Sequence, residues 1–134
     1  EGTLSTTHAT SARGAIDRLV TIALANGGLD RTYAERQAAH HIDLIIQLKS
    51  DRIINSAGVS SLNRYISEIA WVEQGENDRA ALTMIYRGTG KHCAGDFGHI
   101  PGPMLEILNN AGFPKSDIPA NTLSYNPTDE GRLQ

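Results

Sequence analysis

The stretch over residues 11–26 constrains the fold most. Ala12, Ala15, Ile16, Leu19, Val20 and Ala23 recur at the i, i+3, i+4 spacing of one helical face. An amphipathic helix of that length needs another layer on which to bury its stripe. Thr10 or Ser11 can cap the first turn, because a side-chain oxygen there accepts from a free N–H. Gly27 and Gly28 stop the helix, since glycine tolerates the left-handed position beyond a last turn. Just before it, residues 2–8 are rich in Thr and alternate weakly, which predicts a strand.

The rest of the chain reads as further α and β elements. Thr32-Tyr33-Ala34-Glu35 matches a capping box and predicts a second helix from Thr32 to about His41. Residues 42–48 are short, apolar and β-branched, which suits a buried strand. Residues 56–61 predict a turn, residues 64–71 a half-exposed strand, residues 74–78 a second turn and residues 81–86 the returning strand. A glycine-rich loop spans residues 88–102. A short helix follows over residues 103–110, with Pro103 at its start and Gly112 just past its end. From Lys115 onward the chain is polar and contains Pro119 and Pro127, which predicts a tail with little regular structure. The expected order is β-α-α-β, then a meander, then a short helix.

Composition excludes several classes. The 134 residues suit one domain or a piece of one. Twelve Lys and Arg against fifteen Asp and Glu give a net charge of −3, so no strong basic field marks a nucleic-acid binder. With 40% apolar and 20% charged residues the composition is globular. No apolar run is long enough for a membrane-spanning helix. Cys93 stands alone, so there is no internal disulfide scaffold, which fits a reducing cytoplasm. The first ten residues are polar, unlike a signal peptide. The sequence opens on Glu1 rather than Met, directly before a strand-like segment, and this suggests a piece cut from a longer protein.

Chemistry concentrates around His8. A strand ending in His and running into a helix N-terminus can hold an anion, because free N–H groups and the positive dipole end point outward there. His8 and Arg13 would add donors, while Arg13 and Arg18 flank the apolar stripe on opposite sides. Read without further context, the plainer reading is favoured: His8 is a polar strand end and both arginines are solvated. Two other groups come up. His92, Cys93, Asp96 and His99 crowd one loop, but their spacing matches no common structural zinc site. His40 and His41 are adjacent and cannot both face one ion on a helix; one exposed and one half-buried histidine is expected. Tyr65, Trp71 and Tyr86 on the meander suit core and sheet-edge packing, or a docking surface for a neighbouring subunit.

The segment Leu4-Ser5-Thr6-Thr7-His8-Ala9-Thr10-Ser11-Ala12-Arg13, followed by Ala15, Arg18 and Leu19, resembles the His-box region of the secretion superfamily ATPases. Those are the hexameric motors of type II secretion, type IV secretion and Tad-type pilus assembly. Thr10 stands where that family usually has Asn. Residues 36–48, with Gln37 ahead of Ile42-Asp43-Leu44-Ile45, resemble the family's next helix and strand. Arg64-Tyr65-Ile66-Ser67-Glu68-Ile69 resembles its later Arg-x-Val-x-Glu-Ile strand. The similarity covers roughly residues 2–86, with a weaker echo over 102–112, and is nearest to the Tad and type IV secretion branch.

The resemblance implies an α/β fold: the C-terminal portion of a RecA-like P-loop NTPase core with an antiparallel β extension over residues 1–114, and a polar tail over 115–134. It implies ATP and Mg in an intact parent, a ring of six subunits, and a cytoplasmic place at the inner membrane beside other secretion or pilus-assembly proteins. Direct nucleic-acid contact and a membrane span are not expected. His8 becomes the catalytic candidate, near the γ-phosphate, where it would link hydrolysis to movement. Arg13 and Arg18 become candidates for nucleotide or inter-subunit contact. No metal ligands are expected in the chain itself.

The phosphate cradle is missing from these residues. A P-loop needs Gly-x4-Gly-Lys and then Ser or Thr, so that backbone amides surround phosphates and a hydroxyl binds Mg. The nearest stretch, Gly88-Thr89-Gly90-Lys91-His92, has Ile85 where the first Gly belongs and His92 where the hydroxyl belongs. No acidic Walker B strand precedes His8 either; in the family both motifs lie upstream. The competing readings are a non-enzymatic oligomerisation or protein-interaction module on the same fold, and a small zinc domain built on residues 92–99. On the ATPase reading the purified chain does not hydrolyse ATP and needs no cofactor of its own. Phosphate release should equal that of the His8→Ala variant at background level; His8-dependent turnover would refute this.

Overall fold

In the computed structural model, which describes residues 2–90 and 95–119, helices α1 (Ala12–Gly27) and α2 (Arg31–His41) precede four strands. These are β1 (Leu44–Ile54), β2 (Ser60–Gln74), β3 (Ala80–Gly88) and β4 (Gly95–Phe97), followed by helix α3 (Gly102–Asn110). The strands form one sheet in the order β1-β2-β3-β4, and every neighbouring pair is antiparallel. The molecule is therefore a mixed helix and antiparallel-sheet fold.

Alternation of side chains along the strands gives the sheet two faces and two cores. On one face, Ile16 and Val20 of α1 and Ala34 and Ala38 of α2 bury against Val72 of β2 and Ala80 of β3. Ile45 of β1 and Leu82 of β3 pack at the margin of that cluster. On the other face, Ile85 of β3 buries with Ile100 and Ile118, and Ile69, Trp71, Met104, Leu105 and Leu108 pack around them. The last three place α3 over this side. Lys115–Asp117 form a 3-10 turn, and Ile118 just beyond is buried, so ordered packing continues past Lys115.

Local signals set the helix ends. Ser11 is extended and its Oγ accepts from the Gly14 amide at 3.0 Å, and Gly28 at φ 58° closes α1. Gly112 at φ 78° ends α3. Its amide donates to the Asn109 carbonyl and that of Phe113 to the Leu108 carbonyl, a pair of bonds that needs a left-handed residue between them. For α2 the cap differs from the expected one. Asp30 accepts from the Tyr33 amide, so the cap sits two residues before Thr32, the helix starts at Arg31 and Thr32 lies inside its first turn. Glu35, released from a capping box, pairs with Arg31 at 2.8 Å and lies 3.8 Å from Arg79.

Two strand expectations are corrected. Residues 2–8 form no strand; they have no regular structure, join no ladder and are exposed, with Leu4 94% accessible. Thr-rich propensity sustains a strand only when its amides and carbonyls find a ladder. The apolar run at residues 42–48 becomes β1, at the edge of the sheet rather than buried on both faces. Its Ile45 side meets the helices, while Leu44, Ile46 and Leu48 are 40, 52 and 67% exposed. The meander strands run longer than expected. Beyond Leu48, β1 and β2 continue as a hairpin arm to the pair Ile54↔Ser60, with Ile53, Ile54, Val59 and Leu62 all exposed. The expected 88–102 loop holds strand β4. His40 and His41 are both exposed, because they sit in the last turn of α2 outside its buried Ala34–Ala38 line.

Two irregularities re-aim the sheet. Gln47 pairs with Glu68 but Leu48 pairs with Ile66, so Ser67 is an extra residue in β2, its hydroxyl donating to the Gln47 carbonyl at 3.2 Å. Ile69 pairs with Tyr86 but Ala70 with Met84, so Ile85 is extra in β3. The Ile85 carbonyl accepts from the Gly98 amide at 2.8 Å, which fixes the turn out of β4. Such bulges bend a strand and redirect its side chains.

These contacts give two expected outcomes. Ile16→Ala empties a site that is 2% exposed and should cost about 2–5 kcal/mol in urea denaturation. Ile53→Ala on the arm should change stability by less than about 0.5 kcal/mol. The second concerns Asp78, in the turn between β2 and β3. Hydrogen bonds from Arg36 of α2 and then from Gln74 hold its carboxyl below the ordinary 3.8. The folded chain therefore takes up this proton less readily than the unfolded one. The stabilisation is complete above the ordinary value and is lost as pH falls through the lowered one. The gap in urea midpoint between wild type and Asp78→Asn should close over that acid range and be pH-independent near neutrality.

Candidate functional site

The first turn of α1 and the residues before it form the candidate site. His8 is exposed at the end of the segment without regular structure that precedes α1. Directly after it, the Ala9 carbonyl accepts from Gln47 Nε2 of β1 at 2.9 Å. The Ala12 amide donates to Glu68 Oε2 of β2 at 2.7 Å. Arg13 Nη1 donates to the Ala80 carbonyl at the start of β3, at 2.9 Å. Side chains thus link three neighbouring strands to residues 9–13, all on the face that carries α1.

This geometry changes the anion reading of the helix start. The Ala12 and Gly14 amides are already used, by Glu68 and Ser11. The positive end of the helix dipole faces a carboxylate of the protein itself. An anion near His8 would therefore be met by side chains rather than by a ring of free amides.

The expected arginines separate. Arg13 is drawn across to the sheet by the Ala80 carbonyl. Its guanidinium has five N–H donors, so this one bond leaves others available. Arg18 lies further along α1, exposed, and makes no ion pair among the described residues. The structure does not bring His8, Arg13 and Arg18 into one cluster of contacts.

Gln47 and Glu68 were missed as site residues. Gln47 interrupts the apolar run Leu44-Ile45-Ile46, and Glu68 lies between the buried Ser67 and the half-buried Ile69. A polar residue inside an otherwise apolar strand was the available signal, because a half-buried polar group needs a partner. The partner itself lay 56 residues away from Glu68, beyond any local pattern.

On the opposite face of the sheet an apolar groove of about 960 Å³ runs beside the second core. Leu48, Ile66, Ile69, Tyr86 and Phe97 form its walls, with Lys49 and Arg64 also lining it. The Tyr86 and Phe97 rings lie 5.1 Å apart at 57°, a tilted pair that fixes one wall. Trp71 packs at the second core instead, and the Asn63 side chain donates to the Gly90 carbonyl at 2.7 Å.

Of the proposed loop ligands, His92 and Cys93 lie outside the described residues; Asp96 is exposed and His99 half-buried. Among the described residues no three or more His, Cys, Asp or Glu side chains gather as a metal site, and no helix is long and apolar enough to cross a membrane. In comparisons with known proteins, no family model, no curated protein and no solved structure matches the chain.

Proposed function

We propose that the chain is the C-terminal segment of a hexameric secretion or pilus-assembly ATPase of the Tad and type IV secretion kind. It would supply the His-box histidine and subunit contacts. On this reading α1, α2 and β1 belong to a RecA-like core, and β2, β3 and β4 form its antiparallel extension. The parent binds ATP and Mg between subunits, in the cytoplasm beside inner-membrane secretion or pilus-assembly proteins.

One observation carries the proposal. The segments that resemble the family are far apart in sequence, yet they meet at one place. The His-box helix start, the strand after Ile42-Asp43 and the Arg-x-x-x-Glu-Ile strand converge through Gln47–Ala9 and Glu68–Ala12. A convergence of this kind supports a shared task near His8 better than three unrelated matches would.

The chain's own residues suit that task. The exposed His8 imidazole offers an N–H donor to a phosphate oxygen. Arg18, exposed on α1 and without an ion pair among the described residues, is available to a neighbouring subunit or nucleotide. Arg13, with one donor spent on Ala80, supplies the remaining ones. ATP with Mg would supply the phosphoryl group and its charge neutralisation when bound in the parent.

A second reading, a non-enzymatic oligomerisation module, is favoured by the arm and the groove. Exposed Ile53, Ile54, Val59 and Leu62, together with the open apolar groove, are surfaces suited to assembly. The reading frame upstream discriminates. A P-loop and an acidic strand just before Glu1 support the ATPase; a start codon near Glu1 supports the module.

The direct test expresses the chain with its upstream region and measures nucleotide binding, oligomer size and turnover. The expected result is a six-subunit particle that binds ATP, in which His8→Ala still binds but turns over about 10²-fold more slowly, the scale set by losing one transition-state donor. Wild-type turnover in His8→Ala refutes the role of His8.

A further inference from the structure

We propose that Glu68 is a positioning residue for His8, acting through the first turn of α1. The proposal rests on the reading of His8 given above and names the group that sets its place.

The segment carrying His8 joins no ladder, so among the described residues its direction is set where it joins the folded body. That junction is residues 9–12. Ser11 already caps α1 locally through the Gly14 amide. The bond from the Ala12 amide to Glu68 is therefore additional: a tertiary bond from the helix start to the middle strand of the sheet. It is a charge-assisted bond at 2.7 Å, aligned with the positive end of the helix dipole.

The sheet is built to deliver this carboxylate. Glu68 pairs with Gln47 across β1 and β2, and the extra residue Ser67 follows immediately on the arm side. A one-residue slip exchanges the faces of a strand. The bulge therefore lets Ile66 line the groove while Glu68 and Gln47 both reach the α1 side. Gln47 takes the carbonyl of Ala9, next to His8, and Glu68 takes the amide of Ala12. A change in pairing between β1 and β2 would move both grips together, and His8 with them. Glu68 itself touches no substrate in this arrangement; its effect passes through residues 9–12.

The test uses the full chain and backbone amide relaxation by NMR on wild type, Glu68→Ala and Glu68→Gln. In wild type, residues 8–10 should show order parameters close to those of α1, about 0.85. Glu68→Ala should take them below about 0.6 and shift the Ala12 amide proton upfield, while Ile16 and Val20 stay rigid. Glu68→Gln keeps an acceptor oxygen and should restore at least half of the loss. Unchanged order at residues 8–10 in Glu68→Ala overturns the proposal, as does loosening that spreads equally to Ile16 and Val20, or a failure of Glu68→Gln to restore order. If Glu68→Ala does not fold, Glu68→Met, which keeps the side-chain length and loses the acceptor, takes its place: loosening confined to residues 8–10 supports the proposal, and wild-type values or general loosening overturn it. Failure of the nucleotide reading would show instead as wild-type turnover in His8→Ala, and these relaxation values do not depend on it.

Discussion

Burial of Val72 and Ala80 beneath α1 and α2 is the contact on which the rest depends. Ile16 and Val20 alone could not hold a helix in water, since an isolated helix of this length is marginal. Set against β2 and β3 they complete a closed cluster with Ala34 and Ala38. The small alanines of α2 let it approach closely, so two helices share one patch of sheet. Once that patch forms, the start of α1 must lie over β2, and the ends of Gln47, Glu68 and Arg13 come within reach of their backbone partners.

The second face follows from the same strands. Because side chains alternate, the residues between those of the first core must face the other way, and Ile69, Trp71 and Ile85 need their own cover. α3, Ile100 and Ile118 supply it, but only over the β2 and β3 end. Among the described residues, the arm of β1 and β2 extends beyond both covers. An exposed apolar arm beside an open apolar groove is an unusual surface for a chain to leave in water. In the proposed ATPase, and equally in an assembly module, such a surface would be covered by a neighbour.

Two bulges give this sheet its functional geometry. At Ser67 and at Ile85 a single added residue shifts pairing by one, and with it the face to which the following side chains point. The first sends Ile66 to the groove and Glu68 to α1. The second buries Ile85 in the α3 core and leaves its carbonyl for Gly98. The polar contacts near His8 and the apolar groove are thus two sides of one strand.

Much of the local structure was legible in the sequence. The stripe from Ala12 to Ala23, the stop at Gly27 and Gly28, the turn signals after Gln74 and the stop at Gly112 depend on neighbours a few residues away, and each formed as read. The same local reasoning misplaced the start of α2, since Asp30 and Thr32 are both competent caps and the spacing alone does not rank them. It also made a strand of residues 2–8 and buried residues 42–48. Composition records that a segment favours extended backbone or apolar surroundings, but not whether a ladder or a covering layer is there. The candidate site divides the same way. His8, Arg13 and Arg18 stood out by motif, whereas Gln47 and Glu68 acquired their roles from partners 38 and 56 residues away. The sequence by itself determined where the helices start and stop to within a turn and where the chain reverses, because those are short-range steric and hydrogen-bonding choices. Only the tertiary structure decided which strand faces the helices, which edge stays open and which carboxylate meets the start of α1. Those outcomes depend on register and burial between segments that sequence order keeps far apart.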